Sequence, residues 1–345
     1  MKVKCDHCNK VYEIPEKRLN SGKETRFPCP ACKSLIELDL RSKLSYKGTA
    51  VDTSLSLTKN LLSGDDLKKK ILNSIKDLPP MPQTVHKAQE IMSNPDSSFK
   101  DLARVLETDT AIAAMVLKMA NSSYYGLAGK VSSIQHASVV LGQKTLIELI
   151  TMAGTSTLLG DILPGYGLGA VDLWRHSMGV AFGARMIASK KNPPLSNDAF
   201  SAGLIHDSGK LILDPYILER KEIFENYMSE EKQSFLVAEK QILGFDHGEI
   251  ASEVCKSWQT PQALANAIRY HHSPSMSDAP ELTYIIHMAD VIAMMTGLGV
   301  GIDGLSYQVD DKAIDILGLN DGDINDIMVE VAVSVDNISG QIHVA

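Results

Sequence analysis

After residue 65, apolar side chains recur every three or four residues, which is the spacing of a single helical face. The first stripe consists of Leu67, Ile71 and Ile75 and follows two aspartates that suit a helix N-cap. Similar stripes continue to the far end of the chain, and no strand pattern interrupts them. The pattern therefore predicts an all-α body of many helices, separated by turns rich in glycine, proline and asparagine.

The first 40 residues follow a different pattern, because polar and apolar side chains alternate there. The segments 11–14 (VYEI) and 35–38 (LIEL) have the period of two that is typical of half-buried strands. Residues 41–65 carry eight serines and threonines and few side chains that could be buried, which indicates a flexible linker. A small β unit and a linker are thus expected before the helical body.

The helical body is predicted to span residues 66–300. Residues 301–345 are predicted to form a C-terminal helical extension that packs on the body, since Ile327, Val331 and Val335 fall on one helical face. Glycines crowd the stretch 160–170, so one hypothesis places a boundary between two packed subdomains there.

Composition narrows the class of protein. Of the 345 residues, 44% are apolar and 22% are charged, which excludes a disordered chain. Aromatic residues make up 6%, which favours helices over an aromatic-rich β-sandwich. No signal-peptide run and no apolar stretch long enough to span a bilayer is visible, so a cytoplasmic protein is expected.

The net charge of -8 is unevenly distributed. Residues 1–40 hold 8 Lys/Arg against 6 Asp/Glu, whereas the remainder holds 26 against 36 and is therefore strongly acidic. An acidic body repels phosphate backbones and anionic lipids, so neither nucleic acid nor a membrane surface is expected as a partner. The small positive charge of residues 1–40 is too weak an electrostatic footprint to indicate nucleic-acid binding.

Four of the five cysteines lie within the first 32 residues, in two C-x-x-C pairs separated by twenty residues. These cysteines are Cys5, Cys8, Cys29 and Cys32. Their spacing is at the upper edge of that found in zinc ribbons, where four thiolates complete a tetrahedral structural site. A unit of this size needs such a metal to fold, so residues 1–40 are predicted to be a zinc ribbon. Cys255 is interpreted as a buried thiol.

Six of the ten histidines lie between residues 176 and 287, beside acidic residues or beside each other. The candidate ligands in chain order are Asp172, His176, His206, Asp207, His247, His271, His272 and Asp290. Imidazoles and carboxylates without thiolates favour Fe, Mn, Zn or Ni, and Asp207 could bridge two ions through its two oxygens. Asp172 and His272 are equally compatible with outer ligands and with hydrogen-bonding partners. The pattern predicts a divalent metal site.

Such a site suits phosphoester hydrolysis, because metal ions polarise phosphoryl oxygens and activate water. Lys210 follows Asp207 by three residues and could direct a positive charge towards the substrate. Gly209, which lies between them, is expected to end the helix that carries the His-Asp pair. The histidines to which no ligand role is assigned are His7, His86, His136, His287 and His343.

Five motifs make the chain resemble HDOD proteins, which are bacterial signalling relatives of the HD phosphohydrolases and of the HD-GYP cyclic-di-GMP phosphodiesterases. The motifs are 78–82 (LPPMP), 121–126 (NSSYYG), 141–142 (LG), 174–177 (WRHS) and 203–210 (GLIHDSGK). The resemblance runs from about residue 66 to residue 298 and implies an all-α fold and a regulatory role. It also implies that metal ligands are missing in many members.

By position, the resemblance matches the core HD ligands to His176, His206, Asp207 and Asp290. It matches the additional HD-GYP ligands to His247 and His271, and the phosphate-contacting lysine to Lys210. After the paired histidines, however, the chain reads SPSMS at 273–277 where the HD-GYP branch has Gly-Tyr-Pro. This departure counts against cyclic-di-GMP hydrolysis but not against hydrolysis in general.

Two functions are compatible with these features. The first is a signalling module that holds one or two ions and contacts protein partners through its helical surfaces, with the ribbon as an accessory contact. The second is an active metal-dependent phosphohydrolase that acts on a nucleotide or cyclic nucleotide, with Asp207 and Lys210 as catalytic residues. Metal-dependent turnover that requires Asp207 would separate the two.

Overall fold

A computed structural model of the protein describes four short N-terminal strands and most of the chain after residue 62. The described residues are 2–4, 11–13, 25–28, 35–38, 62, 64–75, 83–93, 97–127, 129–231, 233–278, 280–299, 301–302 and 309–340. The chain divides into two compact units, Met1–Leu61 and Leu62–Ala345.

The first unit contains two antiparallel strand pairs. Strand β1 (Lys2–Lys4) pairs with β2 (Val11–Glu13), and β3 (Thr25–Pro28) pairs with β4 (Leu35–Leu38). The predicted zinc ligands Cys5, Cys8, Cys29 and Cys32 lie outside the described residues, as does most of the predicted linker. The zinc ribbon therefore stays a prediction.

The second unit is helical, as the apolar period predicts, and the described residues of this unit form no β-strand. Its helices are α1 (Gly64–Ser74), α2 (Gln83–Ser93), α3 (Phe99–Glu107), α4 (Thr110–Ala120), α5 (Ile134–Leu159), α6 (Asp172–Lys191), α7 (Ser196–Ile205), α8 (Gly209–Glu219), α9 (Lys221–Glu231), α10 (Phe235–Leu243), α11 (His247–Ser257), α12 (Gln262–Arg269), α13 (Pro280–Met295), α14 (Ala313–Leu317) and α15 (Asp321–Ser339). The proline-rich segment 78–82 lies outside the described residues.

Helix α6 lies at the centre of this unit and packs against α7, α13 and α15. The absence of a side chain at Gly179 leaves room for Leu298, which follows α13, and Gly183 faces Ala289 on α13. A Cβ atom at Gly179 would lie 2.7 Å from Cδ1 of Leu298, and one at Gly183 would lie 3.4 Å from Cβ of Ala289. Trp174 is buried and donates its indole N–H to the carbonyl of Met152 in α5. The core is therefore built around α6, which also carries the first candidate ligand.

The glycine-rich stretch 160–169 forms a tight turn inside the helical unit, closed by a β-bridge between Leu163 and Leu168. At the C-terminal side, α15 packs against α6 and α13 and buries Val331 and Val335. No helix among the described residues has both the length and the apolar character needed to span a bilayer.

Candidate metal centre

Side chains from five places in the helical unit converge in its interior. His176 is on α6, the His206–Asp207 pair follows the last residue of α7, His247 is the first residue of α11, the His271–His272 pair follows α12, and Asp290 is on α13. The chain leaves the helix after Ile205, so the adjacent His206 and Asp207 can face the same centre. His206 and His271 are fully buried, and the others are buried or nearly so.

Asp207 lies in the middle of the cluster, with each carboxylate oxygen facing a different pair of histidines. Its Oδ2 is 3.6 Å from Nε2 of His176 and 3.4 Å from Nε2 of His206. Its Oδ1 is 3.3 Å from Nε2 of His247 and 3.9 Å from Nε2 of His271. The carboxylate is therefore placed as a bridge between two ligand sets.

Asp290 closes the cluster from α13. Its Oδ1 is 3.0 Å from Nε2 of His176 and 3.8 Å from Nε2 of His206. Three sets of side chains have ligand atoms within 4.8 Å of one another. The sets are His176, His206 and Asp207; His206, His271 and Asp290; and His247, His271 and His272. Each set could hold a metal ion.

Backbone carbonyls orient three of these histidine rings through their Nδ1 atoms. The contacts are His176 Nδ1 to Leu298 O at 3.1 Å, His206 Nδ1 to Gly203 O at 2.8 Å, and His271 Nδ1 to Ile268 O at 2.6 Å. Because a carbonyl only accepts hydrogen bonds, each Nδ1 carries the proton, and the neutral rings of His206 and His271 present the lone pair of Nε2 to the centre. This is the tautomer that a metal ligand needs.

Glu239 on α10 orients the fourth ring, that of His247. Its Oε2 accepts hydrogen bonds from Nδ1 of His247 at 2.8 Å and from the backbone N–H of the same residue at 3.1 Å. The hydroxyl of Tyr166 donates to Oε1 at 2.5 Å. Glu239 is fully buried, and sequence reasoning missed it because nothing in the local pattern of α10 distinguishes it from a surface glutamate.

Burial and neighbouring charges set the protonation states of the centre. Burial lowers the pKa of His206 and brings that of His271 to about 3. Burial alone would raise the pKa of Asp207 and of Asp290. The surrounding imidazoles outweigh it at both carboxylates, together with Lys210 at Asp207, and hold both pKa values below the usual range. The centre therefore presents neutral histidines at His206 and His271 beside two ionised carboxylates, which are the forms that bind cations.

His176 and His247 behave differently, because each lies against a carboxylate. Burial opposes protonation of His176, but the hydrogen bond and charge of Asp290 outweigh it and raise the pKa. Burial likewise opposes protonation of His247, but Glu239 raises its pKa to about 9. The carboxylate that raises the basicity of His247 would also strengthen it as a ligand.

The donor set fits a divalent ion. Among the described residues, the buried Nε2 of His206 and Oδ1 of Asp207 have no hydrogen-bond partner. Buried polar atoms of this kind are costly unless something satisfies them. Nitrogen and oxygen ligands without sulfur suit Fe, Mn, Zn or Ni, so an ion of this group would satisfy both atoms.

Asp172 and His272, for which two roles are predicted, have different positions in the structure. The carboxylate of Asp172 accepts the backbone N–H of Gly169 at 2.8 Å, and Asp172 belongs to none of the three sets. Of its two predicted roles, the structure thus gives Asp172 that of a hydrogen-bonding partner at the start of α6. His272 joins the third set, with its Nε2 2.7 Å from Nε2 of His247.

His287 lies next to the centre but is held by backbone groups. Its Nδ1 is 2.7 Å from the carbonyl of His271, and its Nε2 accepts the backbone N–H of Asp310 at 2.9 Å. Both ring nitrogens are therefore engaged with backbone groups.

Lys210 lies against the centre and is itself buried. Its Nζ is 2.8 Å from Oδ2 of Asp207 and 5.4 Å from the centroid of the Tyr166 ring.

Two segments lie against the centre. The backbone N–H of Ile302 donates to the carbonyl of Tyr166, which joins the 160–169 turn to the chain after α13. A Cβ atom at Gly299 would lie 2.6 Å from Cβ of His176, so the segment after α13 packs directly on this candidate ligand residue. The two segments cover the centre.

Replacing Glu239 by glutamine is expected to weaken Mn²⁺ binding by the full chain about 10- to 100-fold, because His247 loses the carboxylate that orients its ring. Titration calorimetry on chelator-treated protein measures the affinity. Glu253→Gln on α11 is the matched control. Glu253 pairs with Lys256 on the surface, so this variant should bind Mn²⁺ as the unaltered chain does. Equal affinities in the two variants would show that Glu239 does not support the ligand.

Comparison with known proteins places these features in one family. A model of the HDOD domain matches residues 78–274. The crystal structure of an HDOD domain protein of unknown function from Geobacter sulfurreducens is 26% identical, with a TM-score of 0.64, and the match covers 79% of this chain and 97% of that one. A protein from Shewanella amazonensis SB2B, provisionally named as a phosphohydrolase, is 22% identical with a TM-score of 0.63, covering 79% and 98%.

A curated relative, an uncharacterized protein of Treponema pallidum (strain Nichols), is 24% identical over 216 residues. The match covers 62% of this chain and 41% of the relative, so the chain spans less than half of that protein. The similarity to the Shewanella structure shows a shared fold.

Proposed function

The chain belongs to the HDOD family, and from this premise we propose that it is a bacterial signalling protein whose helical body holds one or two divalent ions and contacts protein partners through its surface. The observation that carries the proposal is the His/Asp cluster, which could hold a metal ion, converges on Asp207 and is buried beneath two covering segments. The ion identity is proposed to be Fe, Mn, Zn or Ni.

Burial of the cluster favours a regulatory or structural ion over a catalytic one. A phosphoester substrate has to reach the ions directly, and catalytic metal sites keep a ligand position open for it. Here Asp207 and Lys210 are 2% and 6% exposed, and Lys210 is directed at the carboxylate of Asp207. An ion at this place would join α6, α7, α11 and α13, so its binding would control how these helices pack.

The zinc ribbon of residues 1–40 belongs to the proposal as an accessory contact. Its four cysteines have the spacing of two zinc knuckles, and a structural zinc would supply the folding energy that so short a unit needs. This part of the proposal is supported by the sequence.

A metal-dependent phosphohydrolase is the second candidate. It is favoured by Lys210, which lies beside the bridging carboxylate as a phosphate-contacting residue would, and by the name of the Shewanella protein. In this case Asp207 would hold the ions, Lys210 would bind the phosphoryl group, and the covering segments would have to open. The sequence SPSMS at 273–277 in place of Gly-Tyr-Pro counts against cyclic-di-GMP as the substrate.

The two candidates differ in turnover. Full-length protein loaded with Mn²⁺ or Fe²⁺ is expected to retain its ions and to hydrolyse neither bis(p-nitrophenyl) phosphate nor nucleotides nor cyclic dinucleotides. Ion content is measured by plasma mass spectrometry, and hydrolysis by chromatography of the products.

Metal-dependent turnover that is lost in Lys210→Ala, with ions retained, would establish the phosphohydrolase instead. Lys221→Ala on α9 is the matched control, because Lys221 pairs with Glu225 on the surface. Protein that binds no ions in the helical body would contradict both candidates.

A further inference from the structure

A groove of about 530 Å³ lies between α6 and α15, beside the short 3-10 turn that carries the motif NSSYYG. Its walls include Tyr124, Phe182, Arg185, Met186, Val329 and Glu330. Aromatic, arginine and methionine side chains are the types that dominate protein-binding surfaces. The groove does not include any of the candidate metal ligands.

Contacts between its walls hold the groove in shape. Arg185 donates to the hydroxyl of Tyr124 at 2.7 Å and pairs with Glu148 of α5. Ser123 donates to the side-chain carbonyl of Asn337 near the end of α15 at 2.9 Å. These bonds connect the NSSYYG turn to both walls, so a ligand would meet a surface that is already formed.

The α15 side of the groove exposes apolar side chains. Val329 and Val333, one helical turn apart, are 66% and 50% exposed. Val331 and Val335 on the opposite face of α15 are buried against the body. The helix therefore presents a second apolar strip beside the groove, and such a strip is typical of an interaction site.

The same strip is acidic. Asp326 and Glu330 flank Val329 and form no ion pair among the described residues. Other α15 acids do form pairs: Asp323 with Lys190 and Asp336 with Arg175. The charge of Arg185 is already matched by Glu148, so the groove carries two uncompensated negative charges.

We propose that this groove binds a segment of a partner protein in which an apolar anchor side chain is flanked by lysine or arginine. The anchor fills the space between Tyr124, Met186 and Val329, and the basic residues pair with Asp326 and Glu330. A second copy of this chain would bring like charges together on the same strip. The proposal rests on the proposed role as a partner-binding module and names its surface, which lies partly in α15, beyond the matched family segment 78–274.

The test uses a library of random 12-residue peptides displayed on phage and selected against the full-length chain. Selected sequences are expected to combine a leucine, methionine or aromatic anchor with lysine or arginine. Their affinity, measured by fluorescence anisotropy on synthetic peptides, is expected to fall about tenfold or more in Val329→Asp and in Glu330→Lys. It is also expected to fall as salt rises.

Matched controls separate the groove from general surface effects. Val139→Asp alters another exposed valine, on α5, and Glu222→Lys reverses another exposed acid, on α9; both should bind the peptides as the unaltered chain does. Circular dichroism checks that all four variants are folded.

Several results would overturn the proposal. These are a failure to enrich any peptide, enrichment of peptides without basic residues, and equal binding to the groove and control variants. A dimer that Val329→Asp disrupts, seen by sedimentation, would assign the surface to a second copy instead. None of these results depends on ion content, so the metal centre is tested separately.

Discussion

Replacing Asp207 by alanine is expected to abolish ion binding by the helical body and to lower its melting temperature by about 10 °C. Both carboxylate oxygens of Asp207 face histidine Nε2 atoms, so one substitution removes a ligand from each side of the cluster. The ammonium group of Lys210 also loses its carboxylate partner in a buried position, which costs several kcal/mol. Titration calorimetry with Mn²⁺ and thermal unfolding by circular dichroism measure the two effects.

Asp172→Asn is the matched control for Asp207→Ala, because it tests whether Asp172 binds the ion or only accepts a hydrogen bond. The spacing of Asp172 and His176 allows both to be ligands, whereas in the structure the Asp172 carboxylate accepts the N–H of Gly169. An asparagine oxygen can accept the same bond, so this variant should bind Mn²⁺ normally. Loss of Mn²⁺ binding in Asp172→Asn, or its retention in Asp207→Ala, would contradict the arrangement of the centre.

Replacing Gly209 by alanine is expected to destabilise the helical unit by about 3 kcal/mol or more. A Cβ atom at this position would lie 2.0 Å from the carbonyl oxygen of His247 and 2.8 Å from the backbone nitrogen of Ala251. Both atoms belong to the backbone of α11, so the clash cannot be relieved by turning a side chain and α11 must move away from α8. Because α11 carries His247, Mn²⁺ affinity should fall together with the melting temperature.

Gly129→Ala is the matched control for Gly209→Ala. No atom lies within 4 Å of a Cβ placed at Gly129, and its backbone does not require glycine. The melting temperature of this variant should change by about 1 °C or less. A Gly209→Ala protein as stable as Gly129→Ala would show that α8 and α11 do not pack as closely as the structure has them.

Gly209 also shows where sequence reasoning gave an incomplete explanation. The motif HDSGK predicts a glycine that ends a helix, and the chain does leave α7 after Ile205. In the structure, however, Gly209 begins α8 and allows that helix to approach α11. The close approach could not be predicted, because nothing in the residues around Gly209 specifies which helix packs against it.

The covering of the metal centre is likewise a property of the tertiary structure. A backbone hydrogen bond from Ile302 to Tyr166 joins the segment after α13 to the 160–169 turn. Tyr166 in turn connects to Glu239, which holds His247. His247 in the centre is therefore connected through Glu239 to Tyr166 and the two covering segments. These contacts would allow ion binding to affect the surface of the protein.

The sequence by itself determined the helical class of the body, because an apolar period of 3.6 residues is a local property that each helix displays along its own length. It also identified the residue types that suit a divalent ion and the His206–Asp207 pair, since these lie in a short motif. The tertiary structure alone decided that Asp172 faces Gly169, that Glu239 supports His247 and that the centre is covered. Such contacts join residues on different structural elements, and their geometry depends on how all the helices pack together.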